Sequence, residues 1–121
     1  MKSQKNKKLN DKISKCLKNK TVLITGGAGS IGTELTKRIL EYPIKNVRVL
    51  DINEYALFNL GRTTKDSRLR LLLGNILDKD RINMAGENVD IIIHVAAIKN
   101  IEISEYNPIE TIETNIIGTV N

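Results

Sequence analysis

Cysteine is nearly absent from this 121-residue chain: Cys16 stands alone. A lone cysteine excludes an internal disulfide and leaves no thiolate set for a structural zinc site. It is expected to be a reduced thiol without a role. Tryptophan is missing, phenylalanine occurs once, and the three tyrosines are scattered, so no aromatic-interleaved platform for stacking nucleic-acid bases exists. One histidine and no carboxylate pair with a shared pocket signature leave little for acid/base or metal chemistry. No apolar run approaches the eighteen or so residues of a membrane span. The lysine-rich start also lacks the apolar segment of a secretory signal. These absences predict a cytoplasmic protein with no membrane span.

What is present begins with an uneven charge. The formal net charge is +5, but residues 1 to 20 hold eight lysines against Asp11, while residues 21 to 121 hold eleven basic and thirteen acidic groups. The basic character therefore belongs to a leader, residues 1–19, ahead of a slightly acidic domain at 20–121. Leu9, Ile13, Cys16 and Leu17 recur at helical spacing and predict a short amphipathic turn or two. The leader is otherwise expected to be a frayed, solvated extension. Binding of RNA, DNA or an anionic surface is the alternative for it, and no nucleic acid is expected as a partner.

The most informative stretch is Thr25-Gly-Gly-Ala-Gly-Ser-Ile-Gly32, directly after the apolar run Thr21-Val-Leu-Ile24. Gly26, Gly29 and Gly32 recur every third residue, where a backbone must turn sharply or approach a ligand closely. A helix opening near Ser30 would aim its unpaired N–H groups and positive dipole end at a pyrophosphate. A P-loop would need lysine after the last glycine, and Thr33 stands there instead.

Strand and helix signals alternate along the chain. Strands are predicted at 21–25, 47–50, 69–73 and 89–95, the last apolar throughout and so expected to be buried on both faces. Helices are predicted from Ser30, with Ile31, Leu35 and Ile39 on one face and Pro43 beyond its end. Others are predicted at 53–60, capped by Gly61, at about 78–84, and at about 108–120. In the last, Asn107 caps, Pro108 takes the first position, and Ile109, Ile112, Ile116 and Val120 form the buried stripe. The fold class that follows is α/β: a Rossmann-type, doubly wound parallel sheet of about four strands, order 3-2-1-4, with helices on both faces. A ligand then belongs at the carboxyl ends of strands one and four, where the winding reverses.

Asp51 ends the second strand, nineteen residues after Gly32. That is the place for an acid that hydrogen-bonds both hydroxyls of an adenosine ribose and repels a ribose phosphate. No arginine follows within three residues, so NAD(H) is expected in preference to NADP(H).

These residues resemble the extended short-chain dehydrogenase/reductase superfamily, and within it the UDP-N-acetylglucosamine 4,6-dehydratase-like proteins of polysaccharide biosynthesis. The glycine turn is similar to that group's TGxxGSIG, and Asp51-Ile-Asn-Glu-Tyr-Ala-Leu57 to its acidic, helix-opening segment. His94-Val-Ala-Ala-Ile-Lys99 resembles its HxAAxK. Glu105-Tyr-Asn-Pro108 and Thr114-Asn115-Ile-Ile-Gly118-Thr119 resemble its EYNP and TNxxGT pair. The resemblance implies that Gly26, Gly29, Ser30 and Ile31 contact the pyrophosphate, and that Asp51, with Asn53 close after it, serves the adenosine ribose. It further implies that Asn75 and Ile76 flank the adenine, and that Ala96, Ala97 and Lys99 line the nicotinamide side. Asn115 would order the active-site lysine and a water. Two small alanines leave room for a flat ring, or serve tight packing alone. His94, inside an apolar strand, is expected to be a satisfied core histidine.

Three departures qualify the resemblance. Asn75 stands where the group usually has aspartate, yet still offers a carbonyl oxygen to the adenine. Asn100-Ile-Glu102 replaces the usual His-Val-Pro, placing an acid where an anionic sugar nucleotide would pass. The superfamily's catalytic Tyr-x-x-x-Lys has no counterpart: Tyr42 is followed at that spacing by Asn46, Tyr55 by Asn59, and Tyr106 by Glu110. The expectation is therefore the amino-terminal, NAD-binding part of a nucleotide-sugar 4,6-dehydratase/epimerase-like protein, inactive alone. A UDP-sugar would bind only if a missing half completes the site. The alternative is a non-catalytic dinucleotide-binding or interaction module that forms a homo-oligomer or pairs with another chain through an exposed sheet edge.

Overall fold

The computed structural model describes residues 2–96 and residue 119, with side chains from residue 6 onward. The expected helix over 108–120, apart from Thr119, lies outside the described residues. So do Ala97, Lys99, Asn115 and the EYNP segment.

The order of elements is α1 (Lys2–Leu17), β1 (Thr21–Thr25), α2 (Ser30–Ile39), β2 (Asn46–Asp51), α3 (Glu54–Thr64), β3 (Leu69–Leu73), α4 (Lys79–Ala85) and β4 (Ile91–His94). The four strands form one parallel sheet in the order β3-β2-β1-β4, as the alternating pattern predicts. β1 is central, pairing with β2 from Thr21↔Asn46 to Thr25↔Leu50 and with β4 from Val22↔Ile91 to Thr25↔His94. Its β-branched and leucine side chains are buried along its whole length.

The pleat of β1 divides the core in two. Val22 and Ile24, with Val47 and Val49, pack against Leu17 of α1, Ile39 of α2, and Leu57 and Leu60 of α3. Leu23 and Leu50 point the other way, to Ile76 and to Ala85 of α4. Each fully buried Leu or Ile here is worth about 1.5–3 kcal/mol of transfer free energy, so β1 is the keystone. Arg48 of β2 reaches under α4 and donates from Nη1 to the carbonyls of Ala85 and Glu87 at 2.9 and 2.6 Å, satisfying acceptors that the helix end leaves open.

Several local expectations are corrected. The leader is a 16-residue helix rather than a turn or two. Leu17 is buried in the main core, Ile13 packs against it, and Tyr42 Oη donates to Asn10 Oδ1 at 3.1 Å. A helix that contributes an apolar side chain to the core gains tertiary support that a solvated extension lacks. Leu9 and Cys16, placed on the same apolar face from spacing, are exposed. α3 runs past Gly61 to Thr64 and ends on Lys65 in the left-handed region, φ 47°. Gly61 instead faces β3, where a Cβ would lie 2.7 Å from Leu71 Cδ1, the movable end of an exposed side chain. β4 is buried on one face only. Ile91 and Ile93, half-buried, pack against the main core, whereas Ile92 and His94 on the opposite face are exposed.

Arg68, just before β3, ties the end of α2 to the sheet. Its Nε and Nη2 donate to Asp66 at 3.1 and 2.8 Å, Nη1 donates to the Tyr42 carbonyl at 2.8 Å, and Nη2 also meets the Leu40 carbonyl. The Arg68 side-chain hydrogen bonds hold the Asp66 carboxyl below the usual carboxylate range. The stability this supplies is fully present above the ordinary aspartate pKa of about 3.9, and is lost as the pH falls through the lowered folded value. Arg68→Ala is expected to cost about 2 kcal/mol and to flatten the acid limb of a stability-versus-pH curve. Denaturant midpoints between pH 2.5 and 6 check this; an unchanged acid limb would refute it.

Candidate functional site

The site is built at the carboxyl ends of the strands. Beyond Thr25 the chain must leave the sheet, reverse, and start α2 within five residues, and glycine makes that geometry possible. Gly26 has φ +72° and donates its N–H to the Leu50 carbonyl at 2.7 Å. A Cβ on it would sit 2.7 Å from Ala96 N and 2.8 Å from Ala96 Cα, so the turn is pressed directly against the chain leaving β4. At Gly32 a Cβ would meet Gly26 O and Gly27 Cα, both at 2.4 Å, which lets the first turn of α2 close onto the loop. Gly29 differs. The nearest atom to a Cβ there is Gly26 O at 3.5 Å, and the residue is exposed. Its missing side chain leaves open space rather than relieving a clash.

Gly29 is also the N-cap of α2, and among the described residues no side chain caps that end. The first-turn N–H groups of Ser30, Ile31 and Gly32 have no helical carbonyl to donate to. They face a cleft of about 350 Å³ lined by Gly26, Gly29, Ser30, Ile31, Gly32, Leu50, Asp51, Ile52, Gly74, Asn75, Ile76, Val95 and Ala96. Ile31, expected on the buried face of α2, is 61% exposed and stands at this cleft.

Asp51 closes the cleft at the tip of β2. Its Oδ2 accepts the Ala28 N–H at 3.1 Å and its Oδ1 accepts the Asn53 N–H at 3.0 Å. Both carboxylate oxygens are thereby oriented by backbone, with lone pairs remaining. Asn53 itself does not line the cleft: it is the N-cap of α3, its Oδ1 accepting from Ala56 N at 3.0 Å. Asn75 lies in the cleft after β3, but its Oδ1 already accepts the Leu77 N–H at 2.9 Å. Ile76 lines the cleft while most of its side chain is buried in the smaller core.

Nine of the residues singled out from sequence thus share one cleft: Gly26, Gly29, Ser30, Ile31, Gly32, Asp51, Asn75, Ile76 and Ala96. Leu50, Ile52, Gly74 and Val95 line it too and were not singled out. Each is adjacent in sequence to a residue that was, and strand-tip position was the available signal. His94 is not a core histidine. It is exposed, yet both ring nitrogens are engaged: Nδ1 lies 2.6 Å from Thr25 Oγ1 and Nε2 lies 2.9 Å from Thr119 Oγ1. Among the described residues no group of acidic, histidine and cysteine side chains is arranged to hold a metal, and no helix is long and apolar enough to cross a membrane.

The glycine turn, strand order and oriented acid describe a general architecture, and comparison with known proteins decides the family. Residues 22–121 match the family model described as polysaccharide biosynthesis protein. The chain belongs to that family. It is 49% identical over 109 residues to an uncharacterized membrane protein of Methanocaldococcus jannaschii, covering 90% of this chain and 33% of that one. It is 39% identical over 103 residues to a UDP-N-acetylglucosamine 4,6-dehydratase (inverting) of Campylobacter jejuni, covering 84% and 31%. Among solved structures, it is similar to DesIV, a dTDP-glucose 4,6-dehydratase of Streptomyces venezuelae with NAD and TYD bound. That match has a TM-score of 0.73 and 35% identity, covering 82% of this chain and 33% of the other. The chain spans about a third of the length of the curated relatives it matches.

Proposed function

We propose that this family member is the cofactor-binding part of a nucleotide-sugar dehydratase or epimerase, and that its cleft binds NAD(H) in preference to NADP(H). The observation that carries the reading is Asp51, whose two carboxylate oxygens are held by the Ala28 and Asn53 N–H groups at the end of a cleft that begins at an uncapped helix N-terminus. The site fits an extended dinucleotide. The pyrophosphate would lie over the open space at Gly29, held by the Ser30 and Ile31 N–H groups and the dipole of α2. The adenosine ribose would meet Asp51, and the adenine would lie between Ile52 and Asn75. The nicotinamide end would then run the opposite way, over Val95 and Ala96 past β1. NAD(H), when bound, accepts and returns a hydride. Because Asn75 Oδ1 already serves Leu77, it offers the adenine amino group only its remaining lone pair.

The relatives' 4,6-dehydratase chemistry is assigned to this chain only as cofactor binding, since no Tyr-x-x-x-Lys occurs within its 121 residues. Lys99 and Asn115, implied at the nicotinamide side by the family resemblance, belong to the same proposal. So does a cytoplasmic location. A second reading, pairing with another copy or another chain along β4, is favoured by one observation: among the described strands β4 pairs with β1 alone. Sedimentation at increasing concentration tests pairing with another copy, and a monomer throughout would dismiss that form of it.

The cofactor assignment is tested by calorimetric titration. The wild-type chain should bind NADH at least about tenfold more tightly than NADPH, because a ribose 2′-phosphate would face the Asp51 carboxylate. Asp51→Ser should weaken NADH about tenfold or more and erase the discrimination, as expected for loss of charge-assisted hydrogen bonds. Tighter binding of NADPH by the wild type would overturn the reading.

A further inference from the structure

One chemistry-bearing side chain near the cleft does not line it. His94 is the last residue of β4, paired in register with Thr25, the last residue of β1. The two side chains share the same face of the sheet, and Thr25 Oγ1, in a residue 4% exposed, lies 2.6 Å from His94 Nδ1. The opposite ring nitrogen lies 2.9 Å from the hydroxyl of Thr119, which is far off in sequence. One imidazole therefore links the start of the glycine turn, the end of β4 and a third segment.

The consequence lies one residue further on. The last ladder bond between these strands runs from Val95 N to Thr25 O at 2.9 Å. Immediately beyond it the Ala96 backbone presses on Gly26 so closely that no Cβ fits between them. The bonded pair just before Ala96 fixes that approach. Resting on the dinucleotide reading above, we propose that His94 is a positioning residue for the nicotinamide half of the cleft. By bridging Thr25 and Thr119 it sets the Val95–Ala96 wall against the glycine turn. The adenosine half is built from β2, β3 and α3, and Asp51 takes its bonds from Ala28 and Asn53. His94 bonds to none of these.

That separation makes the proposal testable with two ligands. NADH spans both halves of the cleft, and ADP-ribose lacks the nicotinamide. In the full chain, His94→Ala should weaken NADH about tenfold, the equivalent of losing one or two hydrogen bonds, while ADP-ribose stays within about twofold. His94→Asn, whose amide reaches about as far as Nδ1, should retain the Thr25 link, lose the Thr119 link and recover part of the NADH affinity. Thr25→Val removes the hydroxyl at nearly constant volume. It should weaken NADH selectively, as His94→Ala does, and the double variant should be no worse than His94→Ala, because the Thr25 link is already lost in that variant. If His94→Ala fails to fold, Thr25→Val and His94→Asn carry the comparison.

Equal weakening of NADH and ADP-ribose would make His94 a general prop of the domain and overturn the proposal. Unchanged affinity for both would show that the bridge transmits nothing. A wild-type chain that binds neither ligand would instead remove the dinucleotide reading itself.

Discussion

Gly29→Val is expected to abolish detectable NADH binding while leaving the thermal midpoint within about 4 °C of wild type, a shift corresponding to less than about 1 kcal/mol for a domain of this size. The two halves of that outcome have separate causes. A Cβ at Gly29 meets nothing closer than Gly26 O at 3.5 Å, and the backbone there has φ −73°, a value open to any residue. The fold therefore tolerates the side chain. The valine methyl groups, however, would project over the uncapped first turn of α2, into the space a pyrophosphate needs to reach the Ser30 and Ile31 N–H groups. Thermal melts and calorimetric titration on the same preparation check both halves. Equal NADH affinity in wild type and variant would remove the turn from the site.

Gly26→Ala, a smaller change three residues earlier, is expected to do the reverse and strike the fold first. Alanine at φ +72° costs about 1–2 kcal/mol by itself. The added Cβ would also lie 2.7 and 2.8 Å from Ala96 N and Cα. Those are backbone atoms held by the β4 ladder, not the movable end of a side chain, so overpacking adds about 1–3 kcal/mol. A loss of about 3 kcal/mol is a large fraction of the 5–15 kcal/mol that a domain commonly has. Urea unfolding should show a clearly lower midpoint for Gly26→Ala than for Gly29→Ala. Equal midpoints would mean that the contact between turn and β4 is not what holds this end of the sheet.

The contrast between these glycines marks where sequence reading stops. Three glycines at a spacing of three pointed to a turn that cradles phosphate, and the cleft lies there. Spacing cannot say which glycine answers to a ligand and which to a neighbouring strand. Gly26 and Gly32 are fixed by backbone approaching from Ala96 and from the turn itself, while Gly29 faces open space. Gly61 teaches the same lesson from the other side. Next to a predicted helix end it reads as a cap, yet it lies within α3 facing Leu71 on β3, and Lys65 ends the helix instead.

The chain order of apolar runs determined the parallel sheet, its order and the edge at which a site must form. Period-two and period-3.6 patterns are local, and crossovers of one hand leave few ways to connect them. Asp51 was legible for the same reason, as the acid at a strand tip at a fixed distance from the turn. Contacts between residues far apart in sequence were not legible. They include the docking of α1 through Leu17, the exposure of Ile31 toward the cleft, the single buried face of β4, and the pairing of His94 with Thr25 and Thr119. Each depends on which surface arrives opposite a side chain once the strands are laid together. Only the tertiary structure decides that, because a side chain's burial and bonding partners belong to the assembled surfaces and not to its place in the repeat.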